Sequence, residues 1–211
     1  MYDFLVHLVN PFLNLINGKA IIKNKDKLPK GNYIIVAPHR SWLDPVILAL
    51  AIYPKKFSFM AKEELFKGHF ANWFLRKLNA YPVNRVNPGP SAIKKPVNQL
   101  RKTQLSTIIF PTGSRYSSQL KGGALMIAKL ANVPLVPAVY QGPFSFGALF
   151  SRKKRKIAFG DPIYMDRKER LHEETLAKYE QIMQDSFNEL DNQLDPHFHY
   201  DMPEKPADDH F

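Results

Sequence analysis

The sequence predicts an α/β fold: one domain on a mixed, mostly parallel sheet flanked by helices, with amphipathic helices at the N-terminus. Three observations carry this expectation. Short apolar runs of strand length alternate with segments of helical period, the pattern of strands joined by crossover helices. The 211 residues, 45% hydrophobic and 23% charged, suit an ordinary globular domain with one core. No Pro-, Gly- or Ser-rich linker and no internal repeat divides residues 18–195, so one domain is expected there.

The elements follow in chain order. Phe4, Leu5, Leu8, Val9, Phe12, Leu13 and Ile16 recur at helical spacing, and Pro11 is expected to break residues 1–17 into two short helices. As a helix this stretch is about 20 Å long, against about 30 Å of hydrocarbon in a bilayer. It carries Asp3 and no basic leader, so neither a membrane span nor a signal peptide is expected. It either caps the core or lies flat in a lipid interface through Phe4, Leu8 and Phe12. Strands are expected at Lys19–Lys23, Asn32–Ala37, Phe57–Ala61, Thr107–Phe110, Leu135–Tyr140 and Lys156–Phe159, and Tyr81-Pro82-Val83-Asn84-Arg85 reads as a short extended piece. Helices are expected at Val46–Ile52, His69–Leu78, Ala92–Lys102, Ala124–Leu130 and Glu173–Gln193. Residues 196–211, rich in Pro, Asp and His without periodicity, read as a loosely ordered acidic tail. His197 and His199 belong to that tail and are not read as a metal site.

The chain has no cysteine, which excludes a disulfide framework, a Cys-ligated zinc and a Cys nucleophile. Its net charge of +11 is unevenly spread: residues 1–160 hold 25 basic and 5 acidic side chains, the remainder 5 and 14. A basic body predicts an anionic partner, whether nucleic acid, anionic lipid or a phosphorylated substrate. The run Arg152-Lys153-Lys154-Arg155-Lys156 beside Phe144, Phe146, Leu149 and Phe150 fits either an anionic bilayer, at about 1 kcal/mol per charge, or a solvated turn.

Ligands of parallel sheets bind where strands end and loops enter helices. Strand Asn32–Ala37 runs into Pro38-His39-Arg40-Ser41-Trp42-Leu43-Asp44-Pro45. Pro38 precludes a continuous helix, and Asp44-Pro45 reads as an N-cap followed by Pro at the first helical position. A turn can then bring His39 and Asp44 together, the carboxylate fixing the imidazole tautomer: a general base with its orienter. The same residues also fit a plain helix cap and a loop histidine. After the Thr107–Phe110 strand come Phe110-Pro111-Thr112-Gly113-Ser114-Arg115 and then Lys121-Gly122-Gly123 at a helix start. Glycine admits close approach of a ligand, exposed N–H groups receive an oxyanion, and Arg115 can fork onto a phosphate. No Walker loop, dinucleotide fingerprint or nucleophile elbow occurs.

The order His39-x4-Asp44, Val83-Asn84-Arg85, Phe110-Pro111-x-Gly113-x-Arg115 and Val133-Pro134-Leu135-Val136-Pro137 resembles the glycerolipid acyltransferase family, in particular its bacterial 1-acyl-sn-glycerol-3-phosphate (lysophosphatidic acid) acyltransferases. The resemblance covers residues 18–165, including Ala61-Lys62-Glu63-Glu64-Leu65. The sequence departs from the family at Pro38, where Asn is usual, and at Thr112 and Ser114, where Glu and Thr are usual.

The resemblance implies an αβ acyltransferase fold and transfer of a fatty acyl group from acyl-CoA or acyl-carrier protein to the sn-2 hydroxyl of lysophosphatidic acid, giving phosphatidic acid. It implies His39 as general base and Asp44 as its orienter, without metal, cofactor or acyl-enzyme. Lys62, Arg85, Gly113, Ser114 and Arg115 would bind the acceptor phosphate, and backbone N–H groups after His39 would face the oxyanion. Membrane binding falls to Phe4, Leu8, Phe12, Arg152, Lys153, Lys154 and Arg155. The expected location is the cytoplasmic face of the cell membrane, as a peripheral or monotopic protein. Glycerol 3-phosphate or another lysophospholipid is the alternative acceptor. A basic nucleic-acid-binding module is the rival class, and no nucleic-acid fingerprint supports it.

Overall fold

The computed structural model describes residues 1–84, 88–166 and 168–204. Strands run Ile21–Lys23 (β1), Ile34–Val36 (β2), Phe57–Lys62 (β3), Ala80–Val83 (β4), Ser106–Ile109 (β5), Leu135–Gln141 (β6) and Lys156–Phe159 (β7). They form one sheet in the order β1-β7-β6-β2-β5-β3-β4. β6, β2, β5, β3 and β4 are parallel, and the sheet turns mixed where β7 meets β6 antiparallel, with β1 parallel to β7. Helices span Tyr2–Asn17 (α1), Asp44–Ile52 (α2), His69–Lys77 (α3), Ser91–Lys102 (α4), Gly123–Ala131 (α5) and Glu173–Leu194 (α6).

Alternation along the central strands sets which helix covers which face. Ile35, Ile108, Val136, Ala138 and Ile157 pack against α1 and α2, while Ile34, Val36, Ile109, Leu135, Val139 and Ala158 pack against α4, α5 and α6. β2 is buried on both faces, which is why it reads as a continuous apolar run. α3 buries no residue and sits beside β4 and the 3₁₀ turn Glu63–Phe66.

Three expectations are corrected. Pro11 does not split the N-terminus: α1 is one helix. A mid-helix proline costs about 3 kcal/mol, but Val6 and Leu13 on either side are buried in one core, holding both halves in line, and Pro11 itself faces outward. Arg155 is not a membrane-facing cation, for it is 2% exposed while Arg152, Lys153 and Lys154 are exposed. Its guanidinium passes beneath the end of α1 and donates to the side-chain Asn14 Oδ1 (2.6 Å) and to Gly18 O (3.0 Å), a carbonyl at the helix terminus. The tail expected to be loose over 196–211 is held at Phe198 and Tyr200, while residues 205–211 lie outside the described residues. Phe198 and Tyr200 fold back against Phe144 and Arg40, and the Tyr200 hydroxyl donates to Arg40 O (2.9 Å).

Candidate active site

A parallel sheet with crossover helices delivers its strand-to-helix loops to one edge. Here the C-terminal ends of the neighbours β2, β5, β3 and β4 carry the motif residues. β2 leads into His39, β5 into Phe110–Arg115, and β3 ends at Lys62, in register with Val83 of β4. Asn84 donates from Nδ2 to Glu63 Oε1 (2.8 Å), linking those two strand ends. Arg85 lies outside the described residues.

His39 and Asp44 do meet. A tight turn, closed by the Asp44 N–H on Ser41 O (3.3 Å), places His39 Nδ1 3.1 Å from Asp44 Oδ2. The same oxygen accepts the N–H groups of Arg40 and Ser41, each at 2.7 Å. Asp44 is 1% exposed, and its Oδ1 has no partner among the described residues. The expectation that Asp44 caps α2 fails: Leu43 is the cap and no side chain bonds the helix N-terminus. Three donors of the preceding loop converge on the carboxylate instead, so it organises the loop rather than the helix. The Arg40 and Ser41 N–H groups are thereby engaged, and Leu43 N–H donates to Ser41 Oγ, so these three do not serve the oxyanion as expected.

The His39 ring stacks on Phe110, centroids 4.2 Å apart and planes 20° from parallel. With Nδ1 on Asp44 and one face on Phe110, Nε2 is the nitrogen left for chemistry. The hydroxyls of Tyr140 and Tyr200 are held above the ordinary phenol range, by burial first and by the Asp44 charge second, so both remain donors.

His39 lines a pocket of about 540 Å³ that runs between α2 and α3 past Phe59, Met60, Leu75, Leu78 and Ile108. Lys62, Ser114 and Arg115 stand in its wall. The Arg115 guanidinium lies over Trp42 (4.7 Å) and Tyr116 (5.3 Å) and donates to Tyr116 Oη (3.2 Å). Gly113 turns the loop at φ 72°, a left-handed conformation that favours glycine. Thr112, in the place of the family's usual Glu, is 5% exposed and donates to Ser114 O (2.8 Å), so its hydroxyl shapes the turn. Among the described residues no cluster of three or more His, Asp or Glu could hold a metal ion.

Sequence reasoning missed Phe110 as the partner of His39 and Tyr116 as the partner of Arg115. It also missed the exposed apolar side chains Trp42, Val46 and Leu65 in the pocket wall, and Phe70 and Trp73 exposed on α3. The i, i+3 spacing of Phe70 and Trp73 was a legible signal of one helix face, though not of its exposure.

A sequence model described as Acyltransferase matches residues 19–141. A 1-acyl-sn-glycerol-3-phosphate acyltransferase of Streptococcus pneumoniae is 44% identical over 194 residues, 91% of this chain and 74% of the relative. One from Bacillus subtilis is 38% identical over 199 residues, 92% and 99% of the two chains. The fold resembles the crystal structure of a 1-acyl-sn-glycerophosphate acyltransferase from Thermotoga maritima, with a TM-score of 0.64 at 24% identity over 91% of this chain and 80% of that one. No helix among the described residues is long and apolar enough to cross a membrane. With the matched region covering the strand ends that carry His39, Lys62 and Arg115, the chain belongs to the Acyltransferase family.

Proposed function

We propose that the protein transfers a fatty acyl group from acyl-CoA or acyl-carrier protein to the sn-2 hydroxyl of lysophosphatidic acid, giving phosphatidic acid. The observation that carries the reading is the His39–Asp44 pair at the wall of an apolar pocket that also holds Arg115. His39 Nε2 takes the hydroxyl proton as that oxygen attacks the thioester carbonyl. The tetrahedral intermediate collapses, the C–S bond breaks, and the imidazolium returns the proton to the leaving thiolate. Asp44 holds the tautomer and stabilises the imidazolium. The pocket beyond His39 takes a hydrocarbon chain, since its lining is largely apolar. Lys62, Ser114 and Arg115, with Gly113 setting the turn and Arg85 beyond the end of β4, receive the acceptor phosphate. The reaction needs no cofactor. Consumption of thioester across lysophosphatidate, glycerol 3-phosphate and other lysophospholipids, with both donors, tests the assignment; turnover with glycerol 3-phosphate alone would overturn it.

Arg115→Ala should raise KM for lysophosphatidate about ten- to a hundredfold, since a hydrogen-bonded ionic contact contributes about 1.5–3 kcal/mol. Lys should restore only part, because the bidentate fork is lost. A change confined to KM for the acyl donor would reverse the assignment.

The lipid acceptor calls for a membrane surface, and we place the protein peripherally on the cytoplasmic face of the cell membrane, where acyl thioesters are made. Phe4, Leu8, Phe12 and Leu15 form an exposed stripe on α1, and Phe146 and Phe150 are exposed on the adjoining 3₁₀ turn Gly147–Ser151 and its cap. Arg152, Lys153 and Lys154 follow directly and supply the charge. Phe70 and Trp73, exposed on α3, add a second apolar contact. Removing α1 would uncover Val6 and Leu13, so the cleaner test replaces Phe4, Leu8 and Phe12 with serine. That variant should leave phosphatidylglycerol vesicles at moderate salt, while an Arg152/Lys153/Lys154→Gln variant should show a flatter salt dependence, its charges being screened over about 8 Å. Full sedimentation of the combined variant would refute this anchor.

A further inference from the structure

Arg40 follows His39, yet its side chain turns away from the pocket. Its guanidinium donates to both carboxylate oxygens of Asp191 on α6, with Nη1 to Oδ1 at 2.9 Å, and Nη1 also reaches Tyr140 O at 3.4 Å. Phe198 and Tyr200 stack over it at 5.0 and 5.5 Å, and the Tyr200 hydroxyl holds the Arg40 carbonyl. The Arg40 N–H belongs to Asp44. Asp191 is fixed in turn by Gln141 Nε2 (3.0 Å on Oδ1), and Phe144, whose carbonyl accepts the Ser41 hydroxyl at 2.6 Å, packs edge-on against Tyr200. One residue is thus gripped at its side chain, its carbonyl and its N–H.

We propose that Arg40, Asp191 and the C-terminal strap carrying Phe198 and Tyr200 act together as a positioning clamp for the His39–Asp44 pair. The proposal rests on the acyltransferase reading of that pair. His39 sits in the loop that leads to Asp44 at the first residue of α2, and loops are the least rigid part of a fold. An ion pair whose side chains are only 11% and 15% exposed loses hydration on burial, so its net stabilising value is small. What it supplies is geometry: the peptide planes on both sides of Arg40 are fixed, and with them the two N–H groups that orient Asp44. A misplacement near 1 Å at a reacting group costs on the order of a hundredfold in rate. The strap therefore bears on turnover without touching substrate.

The test uses the full chain with Phe198→Ala/Tyr200→Ala, Tyr200→Phe and Arg40→Lys. Steady-state kinetics should show kcat of the double variant down about ten- to a hundredfold, both KM values within about twofold and a melting temperature within a few degrees of wild type. Tyr200→Phe, which keeps the ring over Arg40 but loses the hydroxyl on its carbonyl, should show an intermediate loss; Arg40→Lys, which keeps the charge and loses the fork, should fall about as far as the double variant. Proton NMR gives a second readout independent of turnover: a downfield Nδ1–H signal assigned to His39 by its absence in His39→Ala. That signal should broaden or vanish in the double variant. Wild-type kcat with an intact His39 signal, or a loss matched by unfolding, overturns the clamp; a loss confined to KM for lysophosphatidate makes the strap a binding element and also overturns it. If wild type turns over no lysophospholipid, the functional reading fails, while the NMR comparison still decides the clamp.

Discussion

Replacing His39 with alanine is expected to cut kcat by about 10²–10⁴-fold while the protein stays folded. The imidazole is 3.1 Å from Asp44 and stacked on Phe110, so geometry leaves Nε2 as the one basic atom presented to the pocket by this pair. Its side chain is only 12% exposed and packs on Phe110, but it sits in a loop outside the main core, so truncation should cost some stability without unfolding the protein. The circular dichroism spectrum should match wild type, with the melting temperature lowered by a few degrees. A variant keeping more than about a tenth of wild-type kcat would remove His39 from the proton transfer.

Asp44→Asn should cost nearly as much: a neutral amide oxygen stabilises an imidazolium poorly, and an amide turned with its NH₂ toward His39 favours the wrong tautomer. In a serine-protease triad the same change costs about 10⁴ in kcat. It also carries a stability penalty that helix capping alone would not predict. If the amide oxygen keeps the three loop donors, the NH₂ replaces Oδ1, a buried atom with no partner among the described residues. An unpaired buried donor costs about 1–3 kcal/mol, and for a domain of this size each kcal/mol lowers Tm by about 2–4 °C. A large fall in Tm with kcat within about tenfold of wild type would make Asp44 a structural residue alone.

The strands and helices were legible because each carries its own period: β2, β6 and β7 as apolar runs, α6 as a long stripe. The meeting of His39 and Asp44 was legible because Pro38 and Pro45 bracket the loop and forbid the helix that would keep them apart. Contacts set by tertiary approach were not. Asp191 lies 151 residues from Arg40, and no local spacing couples them. Within Arg152–Lys156 all five side chains look alike in sequence, and only the passage of the chain beneath α1 selects Arg155 for burial. Pro11 misled because propensity is local, whereas the core that overrides it involves Val6 and Leu13 together. The acidic composition of the tail hid two aromatics that find a cation.

The burial of Arg155 has a mechanical consequence. Near the end of α1 the guanidinium ties Asn14 and Gly18 to the start of β7, and Asn17 donates to Leu149 O (2.6 Å). Near its start, Asp3 pairs with Lys56 (2.6 Å) and accepts the Tyr53 hydroxyl (3.3 Å). A helix fastened at both ends cannot swing out on a tether. If α1 rests in the lipid, the altitude of His39 above the bilayer is then fixed by the protein, like the draught of a hull, and the depth at which a hydroxyl can be acylated is fixed with it. Lengthening or slackening either fastening would change which acceptors come within reach without altering a single residue of the pocket.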